Sequence, residues 1–226
     1  AGGAAGRRER ATDRPVKDGR VPIRTVSRER QLAGRIVRLP AGASPAEVLS
    51  GVELDARMLT VFLGQLAQMG KTERVVETFY WMETNGYPTA NKFAYSILLG
   101  MFGKRKRTKD ALAFFAEMKE KGVGADTVMY NTLIDACKRG GSWKDADAIF
   151  REMREAGIEP DVVTYSTLIS ACSRGGQSDR AIALLSEMRD AGVAPNAITY
   201  STVATVCARG GRWEKARSLL KDMLAD

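Results

Sequence analysis

Residues 162–196 read VVTYSTLISACSRGGQSDRAIALLSEMRDAGVAPN, and residues 127–161 before them read TVMYNTLIDACKRGGSWKDADAIFREMREAGIEPD. Aligned without gaps, 18 of the 35 positions are identical. Self-similarity at such a period marks a repeat array, in which each unit packs on its neighbours rather than on one central core. The step extends both ways. Tyr95, Tyr130, Tyr165 and Tyr200 fall 35 residues apart, and so do Ala111, Ala146, Ala181 and Ala216, and Met118, Met153, Met188 and Met223. Units therefore run 92–126, 127–161 and 162–196, followed by a shortened one at 197–226.

Within a unit the apolar residues form two helical stripes. Tyr165, Leu168, Ile169 and Cys172 stand at i, i+3, i+4 and i+7, and Ala181, Leu184, Leu185 and Met188 repeat that spacing. Between the stripes, Arg-Gly-Gly stops the first helix, because glycine accepts the left-handed conformation at a helix end. The pattern predicts an all-α fold, a stack of antiparallel helix pairs. Residues 56–91 form a degenerate unit: Gly70, Phe79, Met82 and Gly86 keep the pattern, and the loop that follows absorbs one extra residue. Upstream, Ser44-Pro45-Ala46-Glu47 has the composition of a capped helix start, with a short helix to about Leu49 and a stop at Gly51. The array is thus expected over 44–226.

Charge is unevenly spread. Of 35 basic and 27 acidic residues, 11 and 4 lie in residues 1–44, which leaves 24 and 23 in the rest. Residues 1–43 lack apolar periodicity and are expected to form a basic, largely irregular arm, with the composition of a transit-peptide remnant. No apolar run is long enough for a membrane span. Cys137, Cys172 and Cys207 occupy one position in three units, a repeat apart and too far for a disulfide, so packing is their expected role. With no histidine and no clustered cysteines, neither a metal nor any other cofactor is expected. The Gly-Gly pairs lack the Gly-Lys-Ser/Thr of a phosphate loop, and no catalytic constellation appears, so no enzyme activity is expected.

Lys104, Arg139, Arg174 and Arg209 form a ladder near the ends of the first helices. Cations at the repeat spacing can track a phosphate backbone. Equally, a cation there stabilises the helix C-terminus by about 0.3–1 kcal/mol.

The wording Val-Val-Thr-Tyr-Ser-Thr-Leu-Ile at 162–169, the Gly-Gly pair, and Glu-Met-Arg-Asp-Ala-Gly-Val-Ala-Pro-Asn at 187–196 resemble the P-type pentatricopeptide repeat (PPR) family, closely over 92–226 and loosely over 56–91. The resemblance implies a right-handed α-solenoid that binds single-stranded RNA in an organelle, the plastid stroma ahead of the mitochondrial matrix, and acts in RNA stabilisation, processing or translation. It further implies that the fifth and last residues of a unit meet one base edge: Ser96 with Asp126, Asn131 with Asp161, Ser166 with Asn196, and Ser201 in the shortened unit. Thr60 and Asn91 are the nearest equivalents in the degenerate unit. Family usage turns these pairs into 5′-(A)GUA-3′, with the RNA running parallel to the array. The second residues, Phe93, Val128, Val163 and Ile198, are implied to wedge between bases. Each position has a plainer explanation. Asp and Asn just before a helix are ordinary N-caps. Ser and Asn at the fifth position suit any solvated helix face, and the second residues suit first-turn packing. The alternative function is a protein-interaction scaffold in an organellar ribosome, transcription complex or other ribonucleoprotein assembly, engaged through the basic arm. At the C-terminal end, Leu219, Leu220 and Met223 recur at core positions, so further repeats or a partner are expected to cover them.

Overall fold

The structure, a computed structural model, describes residues 27–89 and 91–225. Among these it is wholly helical. Helices α1 (Arg28–Arg38) and α2 (Ala46–Leu49) precede five helix pairs: α3 (Ala56–Met69) with α4 (Thr72–Thr84), α5 (Lys92–Lys104) with α6 (Thr108–Glu120), α7 (Thr127–Gly140) with α8 (Trp143–Glu155), α9 (Val162–Arg174) with α10 (Ser178–Asp190), and α11 (Ala197–Arg209) with α12 (Trp213–Ala225). The expected pairs are all present, and the degenerate unit forms one too. Its extra residue lies in the loop before α5, where Tyr87 donates its hydroxyl to the carbonyls of Leu49 (2.9 Å) and Val52 (2.7 Å).

The pairs form two rows. Helices α3, α5, α7, α9 and α11 make the first row and pack directly on one another. The even-numbered helices α4 to α12 make the second row. The repeated tyrosines fill the core between the rows. Phe79 meets Tyr95 edge-on at 5.4 Å between ring centroids, Phe115 meets Tyr130 at 5.2 Å, and Phe150 meets Tyr165 at 5.4 Å. Each joint sets a phenylalanine from one unit against the tyrosine of the next, so the core is continuous along the array. The three cysteines are buried in the same stripe.

The second row is joined differently. Its helices are bridged at every seam by ion pairs between units: Arg107–Glu73 and Lys121–Glu83, then Lys119–Glu152, then Arg180–Asp147 and Arg154–Glu187, then Arg212–Asp179.

The two glycines after each first helix do different work. Gly141, Gly176 and Gly211 take positive φ (80°, 69° and 75°), the conformation expected of a helix stop. Lys106 occupies that place after α5, at φ 58°, without the freedom of a glycine. At the ends of α7 and α9 the preceding glycine is instead a notch for the neighbouring unit. A Cβ on Gly140 would overlap Thr108, and one on Gly175 would overlap the ring of Trp143. After α5 the notch position holds Arg105, whose guanidinium binds Thr72 Oγ1 (2.5 Å) and the Gly70 carbonyl (2.6 Å).

Two expectations need correction. The irregular arm was expected over 1–43, but Arg28–Arg38 is a helix capped by Ser27, and Leu32, Ala33 and Ile36 share the core of the array. Four arginines among its eleven residues obscured a short buried stripe. Residues 44–226 are therefore not a separate body; residues 1–26 lie outside the described residues. At the other end, Leu219 is buried, Leu220 is exposed and Met223 is half-buried, so only part of the α12 stripe lies open. Trp213, the counterpart of half-buried Trp143, is 68% exposed.

Candidate nucleic-acid interface

The first row bears a groove. One stretch of about 550 Å³ is lined by Lys104, Val128, Asn131, Arg139, Asp161 and Val163 among others. Two fifth- or last-position residues, two wedge residues and two cations of the ladder thus converge on one surface. A neighbouring stretch of about 500 Å³ includes Ser96 and again Lys104.

Side-chain chemistry differs from unit to unit. Asp161 caps α9, and its Oδ1 accepts from the Thr164 N–H at 2.8 Å. The same oxygen accepts from Asn131 Nδ2 at 3.2 Å, so the fifth residue of one unit touches that unit's last residue directly. Thr164 completes the cluster: its hydroxyl lies 2.6 Å from Asn131 Oδ1 and 2.8 Å from Asp161 Oδ1. Burial pushes the Asp161 carboxyl up, but the hydrogen bonds from Thr164 and Asn131 outweigh it and hold the group below its ordinary value. One unit later, Ser166 meets Thr199 Oγ1 at 2.9 Å, and Thr199 donates both its N–H and its hydroxyl to Asn196 Oδ1, each at 2.9 Å. Here the fifth and last residues are joined through a threonine.

The earlier units lack this link. Asp126 caps α7 through Met129 N–H (3.0 Å), and its other oxygen pairs with Lys92 at 3.3 Å; among the described residues no hydrogen bond joins it to Ser96. Asn91 caps α5 through Ala94 N–H (2.9 Å) and donates to the Pro88 carbonyl (2.7 Å), while Thr60 donates to the Ala56 carbonyl of its own helix (2.7 Å). Ser201 likewise donates to Ile198 (3.0 Å). The cap role of Asn91, Asp126, Asp161 and Asn196 is therefore real, and in Asp161, which lines the groove, it uses only one carboxylate oxygen.

Thr164 and Thr199 were not singled out in the sequence. The signal was there: each lies three residues after an Asp or Asn cap, as Asp161-Val-Val-Thr164 and Asn196-Ala-Ile-Thr199. The third residue of α5 is Ala94 and that of α7 is Met129, and neither can make the bridge.

First-turn packing does not account for the wedge positions. Phe93, Val128, Val163 and Ile198 are 61%, 64%, 57% and 69% exposed. Isolated exposed apolar residues are normal, but four at one position in four successive units are a surface feature. Lys104, Arg139, Arg174 and Arg209 are exposed as well. Of these, Arg139 is paired with Asp135, whose carboxyl is held low by Lys138 and Arg139 against the upward push of burial. Among the described residues, no group of His, Cys, Asp and Glu could hold a metal, and no helix is long and apolar enough to cross a membrane.

Comparison with known proteins agrees with the fold. A chloroplastic pentatricopeptide repeat-containing protein of Arabidopsis thaliana is 33% identical over 89 residues, 39% of this chain and 11% of that protein. Pentatricopeptide repeat-containing protein 10, chloroplastic, of Zea mays is 34% identical over 93 residues, 40% of this chain and 12% of that protein. The crystal structure of PPR10 from maize superposes with a TM-score of 0.62 at 28% identity, over 85% of this chain and 27% of that one. PPR10 in complex with an 18-nt psaJ RNA element gives a TM-score of 0.56 at 26% identity, over 87% of this chain and 34% of that one. The chain spans 8–16% of the length of the curated relatives it matches. The PPR repeat model matches residues 93–123 and 198–226, and the PPR repeat family model matches 125–174 and 160–209. With the repeat phase, the helix-pair solenoid and these matches in agreement, the chain belongs to the pentatricopeptide repeat family.

Proposed function

We propose that this chain is a stretch of a P-type array that binds single-stranded RNA, about one base per unit, in an organelle. The observation that carries the reading is the groove itself. Exposed apolar residues alternate there with polar fifth- and last-position groups, and cations stand along it at the repeat spacing. An apolar wedge with a polar pair beside it suits a base, which has both a face to stack and an edge to bond. Support comes from the RNA-bound maize relative, and most of the relatives carry chloroplastic names, which favours the plastid stroma over the mitochondrial matrix. The array acts by binding: it shields a transcript or holds a structured site open, and Lys104, Arg139, Arg174 and Arg209 contact phosphates. Proposed base-reading pairs are Thr60/Asn91, Ser96/Asp126, Asn131/Asp161 and Ser166/Asn196, with Ser201 in the last unit.

Magnitudes place limits on the isolated chain. Stacking contributes about 1–3 kcal/mol per base, so four units give about 4–12 kcal/mol. Association costs about 4–15 kcal/mol. Binding by this stretch alone is therefore expected to be weak. Sequencing RNA crosslinked to the native protein tests the reading. A recurrent single-stranded site supports it, and Val163→Asp should weaken the crosslinks, through the loss of about 1–3 kcal/mol of stacking, without changing stability by more than about 0.5 kcal/mol.

A scaffold role is the second reading. It rests on a cleft of about 460 Å³ in the second row, where Tyr80 and Phe114 are flanked by Glu73, Glu77, Asp110 and Glu117. Native crosslinking that recovers protein at this cleft and no RNA at the groove would favour it.

A further inference from the structure

Helix α1 is laid down as though it were the first helix of a unit. Arg74, in the first turn of α4, donates to the carbonyls of Pro40 (2.6 Å) and Ala43 (2.7 Å), just beyond the C-terminal end of α1. At the opposite end of the unit, Tyr87 holds Leu49 and Val52, shortly before α3 begins. Helix α1 therefore runs parallel to α3 and packs along it, as α5 packs on α3. Residues 39–54, which hold only the short α2, return in place of a full second helix.

The buried stripe fixes which way α1 faces. Leu32, Ala33 and Ile36 are buried in the spacing of Leu133, Ile134 and Cys137 of α7. Residues 131, 135 and 139 of α7 line the groove. Their places relative to the stripe are taken in α1 by Arg30, Gly34 and Arg38. Both arginines are exposed and stand two turns apart, and among the described residues neither is paired with an acidic group. Gly34 stands where α7 has Asp135, the carboxylate that neutralises Arg139. Arg35 is exposed too but falls off this face, at the place of Ala136, which packs on Gly103 of the preceding unit.

We infer that α1 is a leading half-unit that reads no base and instead grips the RNA backbone through Arg30 and Arg38, lengthening the groove by one step. This rests on the RNA-binding reading above. The occupant follows from the chemistry: two guanidiniums with no acidic partner among the described residues, on the face that bears Lys104 and Arg139 further along the array, match phosphates, which arginine binds through paired N–H donors. The preceding residues 1–26 add seven basic residues against three acidic ones at the same end of the sequence.

The test uses the full chain and two RNAs, each carrying the core AGUA with a short run of uridines on either its 5′ or its 3′ side. Fluorescence anisotropy over a range of salt gives affinity and the salt slope. The wild type should favour one of the two RNAs. Arg30→Gln with Arg38→Gln should remove that advantage and flatten the salt slope on the favoured RNA by about 1.4, about 0.7 per lost phosphate contact on a single strand. Arg35→Gln should change neither, and Arg30→Lys with Arg38→Lys should restore most of the slope. Melting of each variant confirms that α1 remains docked. Equal binding of both RNAs by wild type and double variant overturns the inference and leaves the RNA reading standing. A loss that is the same on both RNAs also overturns it. No binding of either RNA by the wild type overturns both.

Discussion

Asn131 and Asp161 lie 30 residues apart in sequence, and the amide of one donates to the carboxylate of the other across 3.2 Å. An asparagine amide has two donors and an oxygen with two lone pairs. One N–H is engaged with Asp161 and one lone pair of the oxygen with Thr164, so one N–H and one lone pair remain. The pair, which lines the groove, has one amide donor, one amide lone pair and the second carboxylate oxygen left to offer, held in place by Thr164. A base entering there meets a preset pattern instead of two loose side chains.

Asp161→Asn tests this pattern. Both residues cap helices equally well, so stability at neutral pH should change by less than about 0.5 kcal/mol. Exchanging a carboxylate for an amide replaces an acceptor with a mixed donor and acceptor, and the base preference of that unit should move from U towards C. Oligonucleotides varying at that single base, compared at fixed salt, read it out. There is also a pH signature. Because the Asp161 carboxyl ionises below its ordinary value in the folded protein, its contribution is present above the ordinary carboxylate range and is lost as pH falls through the lowered value. In urea titrations wild type should therefore lose stability relative to the variant as pH falls from neutral through the ordinary carboxylate range and below.

Gly175 and Gly210 occupy one position in successive units but face different neighbours. A Cβ on Gly175 would overlap Trp143, whereas one on Gly210 would find Ser178 Oγ at 3.8 Å, an ordinary contact. Gly175→Ala should cost about 1–3 kcal/mol by overpacking. Gly210→Ala should be neutral or stabilising by about 0.5 kcal/mol, since φ there is −82°. Adding Trp143→Ala should cancel most of the overpacking cost of Gly175→Ala. Denaturant unfolding of the four variants settles the cycle, and additive effects of the two changes would refute a direct contact.

Lys106 holds a left-handed backbone where the later units have glycine. That conformation costs an L-residue about 1–2 kcal/mol, partly offset by the entropy a glycine would lose on folding. Lys106→Gly should stabilise the protein by about 0.5 kcal/mol, seen as a raised unfolding midpoint at unchanged denaturant slope.

Burial in the apolar stripe pushes the Cys137 thiol up to about 12 and the Cys172 thiol up to about 11. Alkylation of the folded protein at neutral pH should be slow, with a thiolate fraction for Cys172 about a hundredfold below that of a free thiol, and should accelerate with urea. Cys172→Ala should lower stability by about 1 kcal/mol and leave RNA preference unchanged. Rapid labelling under native conditions would contradict the packing role.

Much of this was legible in the sequence because a repeat presents each local rule several times. A tyrosine, an alanine and a methionine at fixed steps give the helix phase, and Asp or Asn at each boundary gives the cap. What depends on two units at once was less legible. The Trp143–Gly175 notch joins residues 32 apart, and nothing in either local pattern names the other. Thr164 and Thr199 acquire their part only when the fifth residue of the preceding unit arrives beside them. The wedge positions could not be told from packing residues until their exposure was known. Helix α1 was obscured by composition, since three buried side chains sufficed once α3 supplied the matching surface.

The contrast between the rows sets how the array deforms. The first row is held by close-packed apolar side chains, which resist separation. The second is bridged by partly exposed ion pairs, each worth about 0–1 kcal/mol and screened by salt, with Phe114 packed on Phe79 and Tyr80 at its first seam. Such a body is a spring with a stiff spine and a soft back. Its easiest motion fans the outer seams open while the inner spacing holds, which alters the pitch of the coil without disturbing the distance between adjacent fifth-position residues. Ionic strength then acts as a mechanical control that loosens the back; under the proposed function, it would let a strand adjust its curvature while its bases keep step with the units.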